Sequence, residues 1–246
     1  MKINHSFFLY AFLLLIFQSS GLVAGPPFLT DDPQPVDFKH WEFYVASSMQ
    51  FDKSQFDGTL PHIEVNYGAV PDLQLHVIIP MVYSRTENNS VYRFSNMELG
   101  VKYRFIQETD NIPQIGTFPL VIAPTGDKSK NPGNEKAQIY FPVWLQKSWG
   151  KLTTYGGGGY WYNPGPGNRN WIFTGWEVQY DFSETITLGG EVYYQTSNTV
   201  DSKAQTGFNI GGYINFDEHN HMLFSIGKIL SSNNSTTAYF GYQLTI

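Results

Sequence analysis

Met97-Glu98-Leu99-Gly100-Val101-Lys102-Tyr103-Arg104-Phe105 decides how this chain folds. On an extended backbone Met97, Leu99, Val101, Tyr103 and Phe105 share one face, and Glu98, Gly100, Lys102 and Arg104 share the other. A period of two residues is the strand period. Gln74 to Tyr83 alternates in the same way. A strand that is apolar on one face and charged on the other meets two media. In a soluble protein the apolar face is core. In a membrane barrel it meets lipid, and the polar face lines the interior.

Runs of about ten residues with this character recur along the chain and end at turn-forming clusters. The pattern predicts strands at 41–51, 60–69, 73–84, 95–106, 115–124, 138–149, 152–162, 171–182, 186–196, 206–216, 221–229 and 236–246. Each is long enough to cross a bilayer at a tilt, which takes about 9–11 residues. The connections alternate in length. Val70-Pro71-Asp72, Gly150-Lys151, Ser183-Glu184-Thr185 and Asp217 to Asn220 are short, with Gln107 to Gln114 the exception among them. Arg85 to Phe94, Thr125 to Ala137, Asn163 to Asn170 and Ser197 to Gln205 are longer. Short turns at one end and long loops at the other is the arrangement of outer-membrane barrels. The expectation is therefore an all-β fold: a single antiparallel transmembrane β-barrel of about twelve strands over 41–246. Both termini then lie on the short-turn, periplasmic side.

The N-terminus agrees with export. Lys2 is followed by an unbroken apolar run, Phe7 to Phe17, and then by small and polar residues up to Ala24. This reads as a signal peptide over 1–24, too short to span a bilayer. Cleavage after Ala24 or after Gly21 are the two alternatives. The mature chain keeps 14 basic and 21 acidic residues, since Lys2 is the one charge lost with the signal. A net charge of −7 argues against a nucleic-acid partner. There is no cysteine, which removes thiol chemistry and thiolate metal sites. Aromatic residues make up 17% of the chain, with Tyr (16) and Trp (6) prominent. These rings favour membrane interfaces.

With the apolar face outward, the interior receives Glu42, His62, Glu64, Asn66, His76, Glu98, Lys102, Arg104, Glu177, Gln179, Asp181, Glu191 and Gln195. Acids and bases mixed within low-dielectric walls form ion pairs. They fill a narrow barrel or line a solute pathway, and twelve strands allow either. Residues 25–40 do not alternate and are read as an extended segment, either a plug or a periplasmic lead-in. Phe28 and Leu29 would supply its apolar contacts, Asp31 and Asp32 its charged ones.

No motif implies chemistry. Gly156 to Gly159 lacks the spacing and the helix of a phosphate loop, and it reads as a bend or a close approach beneath aromatic rings. His219 and His221 lie in the polar turn Asp217-Glu218-His219-Asn220-His221, which is read as a turn rather than a metal site. No metal, cofactor or catalytic residue is expected, and no enzyme activity.

Several stretches resemble a known family. They are Gly25-Pro26-Pro27-Phe28-Leu29-Thr30-Asp31-Asp32-Pro33, Pro61 to Gly68, Glu98 to Phe105, Pro124-Thr125-Gly126-Asp127, Trp144 to Gly150 and Asn215 to His219. On these residues the chain resembles the Gram-negative outer-membrane family named for a MetA pathway of phenol degradation. The resemblance implies an outer-membrane transport barrel and little chemistry. The last strand, with Phe240, Tyr242, Leu244 and Ile246 on its apolar face, resembles the signal read by the barrel assembly machinery, although Ile246 stands where Phe or Trp is usual. That machinery and outer-membrane lipid are the expected partners, with a solute left unnamed. The leading expectation is a channel or transporter for a small hydrophobic or aromatic compound. The alternatives are a closed structural or adhesive barrel and, third, a lipid-modifying outer-membrane enzyme.

Overall fold

The computed structural model describes residues 26–126, 136–231 and 234–246. The expected signal peptide (1–24) and the middle of the loop after Gly126 lie outside them. Fourteen antiparallel segments are seen: β1 (Trp41–Phe51), β2 (Phe56–Val70), β3 (Leu73–Arg85), β4 (Ser90–Phe94), β5 (Met97–Ile106), β6 (Gln114–Thr117), β7 (Leu120–Ala123), β8 (Gln138–Trp149), β9 (Leu152–Tyr162), β10 (Trp171–Asp181), β11 (Ile186–Gln195), β12 (Gln205–Asn215), β13 (Asn220–Ile229) and β14 (Thr236–Thr245). β4 and β5 lie end to end along β3. β6 and β7 lie end to end between β5 and β8. The segments therefore make twelve staves, and β1 pairs with β14 to close them into a barrel.

The two interruptions have a local cause. Pro119, between β6 and β7, has no N–H for the ladder, although its carbonyl still accepts from Val101 N at 3.1 Å. Pro80 of β3 interrupts the ladder opposite the β4–β5 junction, where its carbonyl accepts from Ser95 N at 3.0 Å. One expected loop is corrected. Arg85 to Phe94 is not a long loop, because Ser90–Phe94 continues the alternation as β4 and pairs with β3. Only 86–89 remain as the turn, closed by Thr86 N donating to Asn89 O at 2.8 Å. β2 likewise begins at Phe56 rather than at residue 60. The contrast between short turns and long loops is thus weaker than the sequence suggests.

Orientation follows from burial. Leu99, Val101, Tyr103, Val143, Val178, Val192, Ile210 and Ile226 face out and are exposed, while Lys102, Glu64, Glu177 and Gln243 face in and are buried. This inverts the soluble arrangement and is the transmembrane one. Rings gather outside the barrel near both rims. Trp41 stacks on Tyr67 at 4.2 Å near the turn end, where Trp149, Phe182 and Phe216 are also exposed. Tyr92, Phe141 and Tyr162 are exposed toward the loop end. The termini of the barrel meet at the turn end, where Trp41 and Ile246 exchange backbone hydrogen bonds at 2.7 and 2.9 Å.

Candidate functional site: the barrel lumen

The N-terminal segment runs inside the barrel. It starts at the turn end, where Phe38 bridges to Gly68 of β2 and Val36 N donates to the Gln74 amide oxygen at 2.9 Å. It then passes along β5. Arg104 reaches the Gln34 side chain and also donates to Asp72 at 2.9 and 2.6 Å. Lys102 Nζ lies 2.9 Å from Asp31 and 3.2 Å from Asp32. From there the chain crosses to the opposite wall. Leu29 N and Thr30 N donate to the two carboxylate oxygens of Glu191 on β11, at 2.9 and 2.7 Å. Ser225 on β13 donates to the Pro27 carbonyl at 2.7 Å.

The wall is shaped for this crossing. A Cβ at Gly175 would sit 2.1 Å from Thr30 Oγ1, so the segment and β10 approach only because residue 175 has no side chain. Phe28, Thr30 and Asp32 are fully packed. The Leu29 side chain is not: it is 50% exposed and borders the open lumen. Burial pushes the Asp32 carboxyl up, to about 7, against the pull of Lys102.

The residues read from the sequence as luminal are all placed on the inward side, but they do not form one site. One group lies on β1, β2, β3 and β5. Tyr44 donates to Glu42 at 2.9 Å and Asn66 to Glu64 at 2.9 Å. His76 joins Asn66 at 2.7 Å and Glu98 at 3.1 Å through its two ring nitrogens. His62 bonds to Thr59 at 2.7 Å. Glu191 and Lys102 belong instead to the crossing segment, and Arg104 holds the turn at Asp72. Asp181 accepts from Thr187 at 2.6 Å at the turn end, and Gln195 borders the lumen at the loop end. Glu177 and Gln179 are fully buried, and none of their side-chain polar atoms has a protein partner.

Sequence reading missed the opposite wall, which is aromatic. Tyr140, Trp144, Trp161, Phe173 and Tyr193 point inward from β8 to β11 and pack with Phe118 into one cluster, which Leu120, Ile122 and Trp171 join. Tyr140 stacks on Trp161 at 4.6 Å, and Trp161 on Trp171 at 5.2 Å. Trp144 meets Phe173 edge to face at 6.4 Å. A usable signal was present. Tyr140, Pro142, Trp144 and Gln146 alternate with Phe141, Val143 and Leu145, so the polar Gln146 sets the phase and carries the rings inward with it. Phe118 links the two walls. It lies edge-on to His76 at 5.1 Å and beneath Lys102 Nζ at 5.0 Å. The glycine run has a packing explanation on the outer face, where Trp176 covers Gly156 so closely that a Cβ there would lie 2.4 Å from the indole.

Between these walls lies a cavity of about 1450 Å³. It is lined from Trp171 and Gln195 near the loops to Lys151 and Glu184 in the turns, with the crossing segment among its borders. In the turn at the lower rim, the Asn220 side chain and the backbone N–H of His219 hold the Asp217 carboxyl below the usual carboxylate range. His221 is bonded to Asn215 at 2.8 Å. Among the described residues no three His, Asp or Glu side chains gather as metal ligands.

No protein-family model matches the chain, and no curated protein matches it. Solved structures do. The COG4313 outer membrane channel from Pseudomonas putida F1 is similar with a TM-score of 0.67 and 12% identity, over 91% of this chain and 100% of that one. The NanC porin is similar with a TM-score of 0.59 and 9% identity, over 82% of this chain and 98% of that one. The KdgM porin gives 0.56 and 10%, over the same 82% and 98%. At these identities the likeness is one of fold: a bacterial outer-membrane β-barrel.

Proposed function

We propose that this protein is an outer-membrane channel for a small compound with an apolar or aromatic body, its short turns and termini facing the periplasm. The observation that carries this reading is the cavity itself. It borders both ends of the barrel, and one side of it is an aromatic wall in a place where a purely structural barrel needs only paired charges. Apolar lining with a few placed polar groups is the usual character of a small-molecule site. The channel and porins of similar fold support the reading, and so does the resemblance to the phenol-degradation family. In that arrangement Glu98, His76 and Glu64 line one side of the path, and residues 26–36 obstruct its middle.

Purified mature protein in planar bilayers tests this. Discrete conductance steps are expected, larger once residues 26–36 are deleted. A silent bilayer with both proteins would sink the channel reading. It would favour a closed structural barrel, the second reading, for which the buried grip of Glu191 and Lys102 on the N-terminal segment speaks.

A further inference from the structure

We infer that the lumen selects cations, and that the guest it fits best is a small organic cation with an aromatic or other apolar body. The inference rests on the channel reading and adds the sign of the charge.

Fixed charge gives the first argument. The carboxylates bordering the cavity include Asp31, Glu42, Glu64, Glu98, Asp181 and Glu184, whereas among the described residues its Lys and Arg side chains are Lys102 and Lys151. Lys102 is already held by Asp31 and Asp32, and Lys151 sits in a turn at the rim. In a cleft with low-dielectric walls such an excess concentrates counter-ions of opposite sign.

The juxtaposition of the two walls gives the second argument. Glu98 is cross-strand partner to Ile122, which packs into the aromatic cluster. Its side chain is 23% exposed while one oxygen bonds to His76. A guest between the walls therefore meets carboxylate on one side and rings on the other. The protein places a cation of its own in this setting, since Lys102 Nζ is held by carboxylates and lies over the Phe118 ring. A guest ammonium would gain the same attractions to carboxylate and ring.

The third argument is independent of charge. Trp144 Nε1 and the Tyr140 hydroxyl belong to side chains more than nine-tenths buried that border the cavity, and neither has a protein partner. Buried polar atoms are normally satisfied. The rings that carry these atoms face the cavity as one aromatic surface, which offers contact area to a guest with an apolar body.

Reversal potentials in planar bilayers test the inference, using two fixed-charge probes of similar size, phenyltrimethylammonium and benzenesulfonate. The full mature protein is expected to pass the cation at least about tenfold more readily than the anion. In Glu98→Gln, shown to be folded by heat-modifiable migration, the ratio is expected to fall several-fold. A Glu64→Gln variant provides a second reading of the same ratio. Potassium conductance with equal passage of both probes, or preference for benzenesulfonate, overturns the inference and leaves the channel reading standing. No current with any ion overturns both.

Discussion

At the scale of single residues, the lumen is held by a few groups that have little alternative. Lys102 is the counter-charge of Asp31 and Asp32. Leaving a buried carboxylate without its partner costs about 3–5 kcal/mol. Lys102→Met is therefore expected to release the segment from the lumen at pH 8, where Asp32 is ionised, rather than leave a buried carboxylate there alone. Higher single-channel conductance and protease cleavage near Gln34, with an unchanged barrel by heat-modifiable migration, would be the signature; wild-type conductance would count against it. Gly175 gives a test without any change of charge. In Gly175→Ala the new methyl meets the buried, β-branched Thr30 at 2.1 Å, and the chain must withdraw. The same rise in conductance is expected, and the double variant with Thr30→Gly should reverse it. Individual identities of this kind were only partly legible in the sequence. Lys102 and Glu191 declare themselves by breaking an apolar alternation. Trp161 and Phe173 do not, because an aromatic ring suits lipid, interface and a lined cavity equally well.

At the scale of elements, the N-terminal segment and the strand interruptions matter most. The segment has no periodicity to read, since it forms no ladder. Its path is fixed by scattered partners on β3, β5, β11 and β13 that are far apart in sequence. Its docking is also expected to respond to pH. Burial raises the Asp32 carboxyl from 3.8 to about 7, so the docked segment keeps a proton that a released one would give up. By linkage the grip is fully present below about pH 4 and is lost progressively as pH rises through 7. Conductance is thus expected to be lower at pH 5 than at pH 8, and Asp32→Asn should flatten the difference. An opposite slope in wild type would show that the segment is not what limits current. The interruptions at Ser95-Asn96 and Phe118-Pro119 were not read from the sequence, which carried 115–124 as one strand and took 85–94 as a loop. That they preserve the stave count depends on which neighbour each half pairs with.

At the scale of the whole molecule, stability comes from a closed ladder and an apolar exterior in lipid. Ile210, mid-strand in β12 and 59% exposed on the outer face, tests this. Ile210→Arg is expected to destabilise the barrel by about 2–4 kcal/mol if it lies near the bilayer midplane, read by denaturant titration in lipid vesicles; a neutral result would put that face outside the hydrocarbon. The sequence by itself determined that the chain alternates over twelve staves and which face of each carries charge. It could do so because strand periodicity is local: neighbouring side chains of a strand point to opposite sides wherever the strand lies. Only the tertiary structure decided that one half of the lumen is aromatic, that Pro26 to Val36 lies inside it, and that the luminal lysine is already paired. Those facts depend on which strands face each other across the closed barrel, and that distance is set by closure rather than by anything written in a single strand.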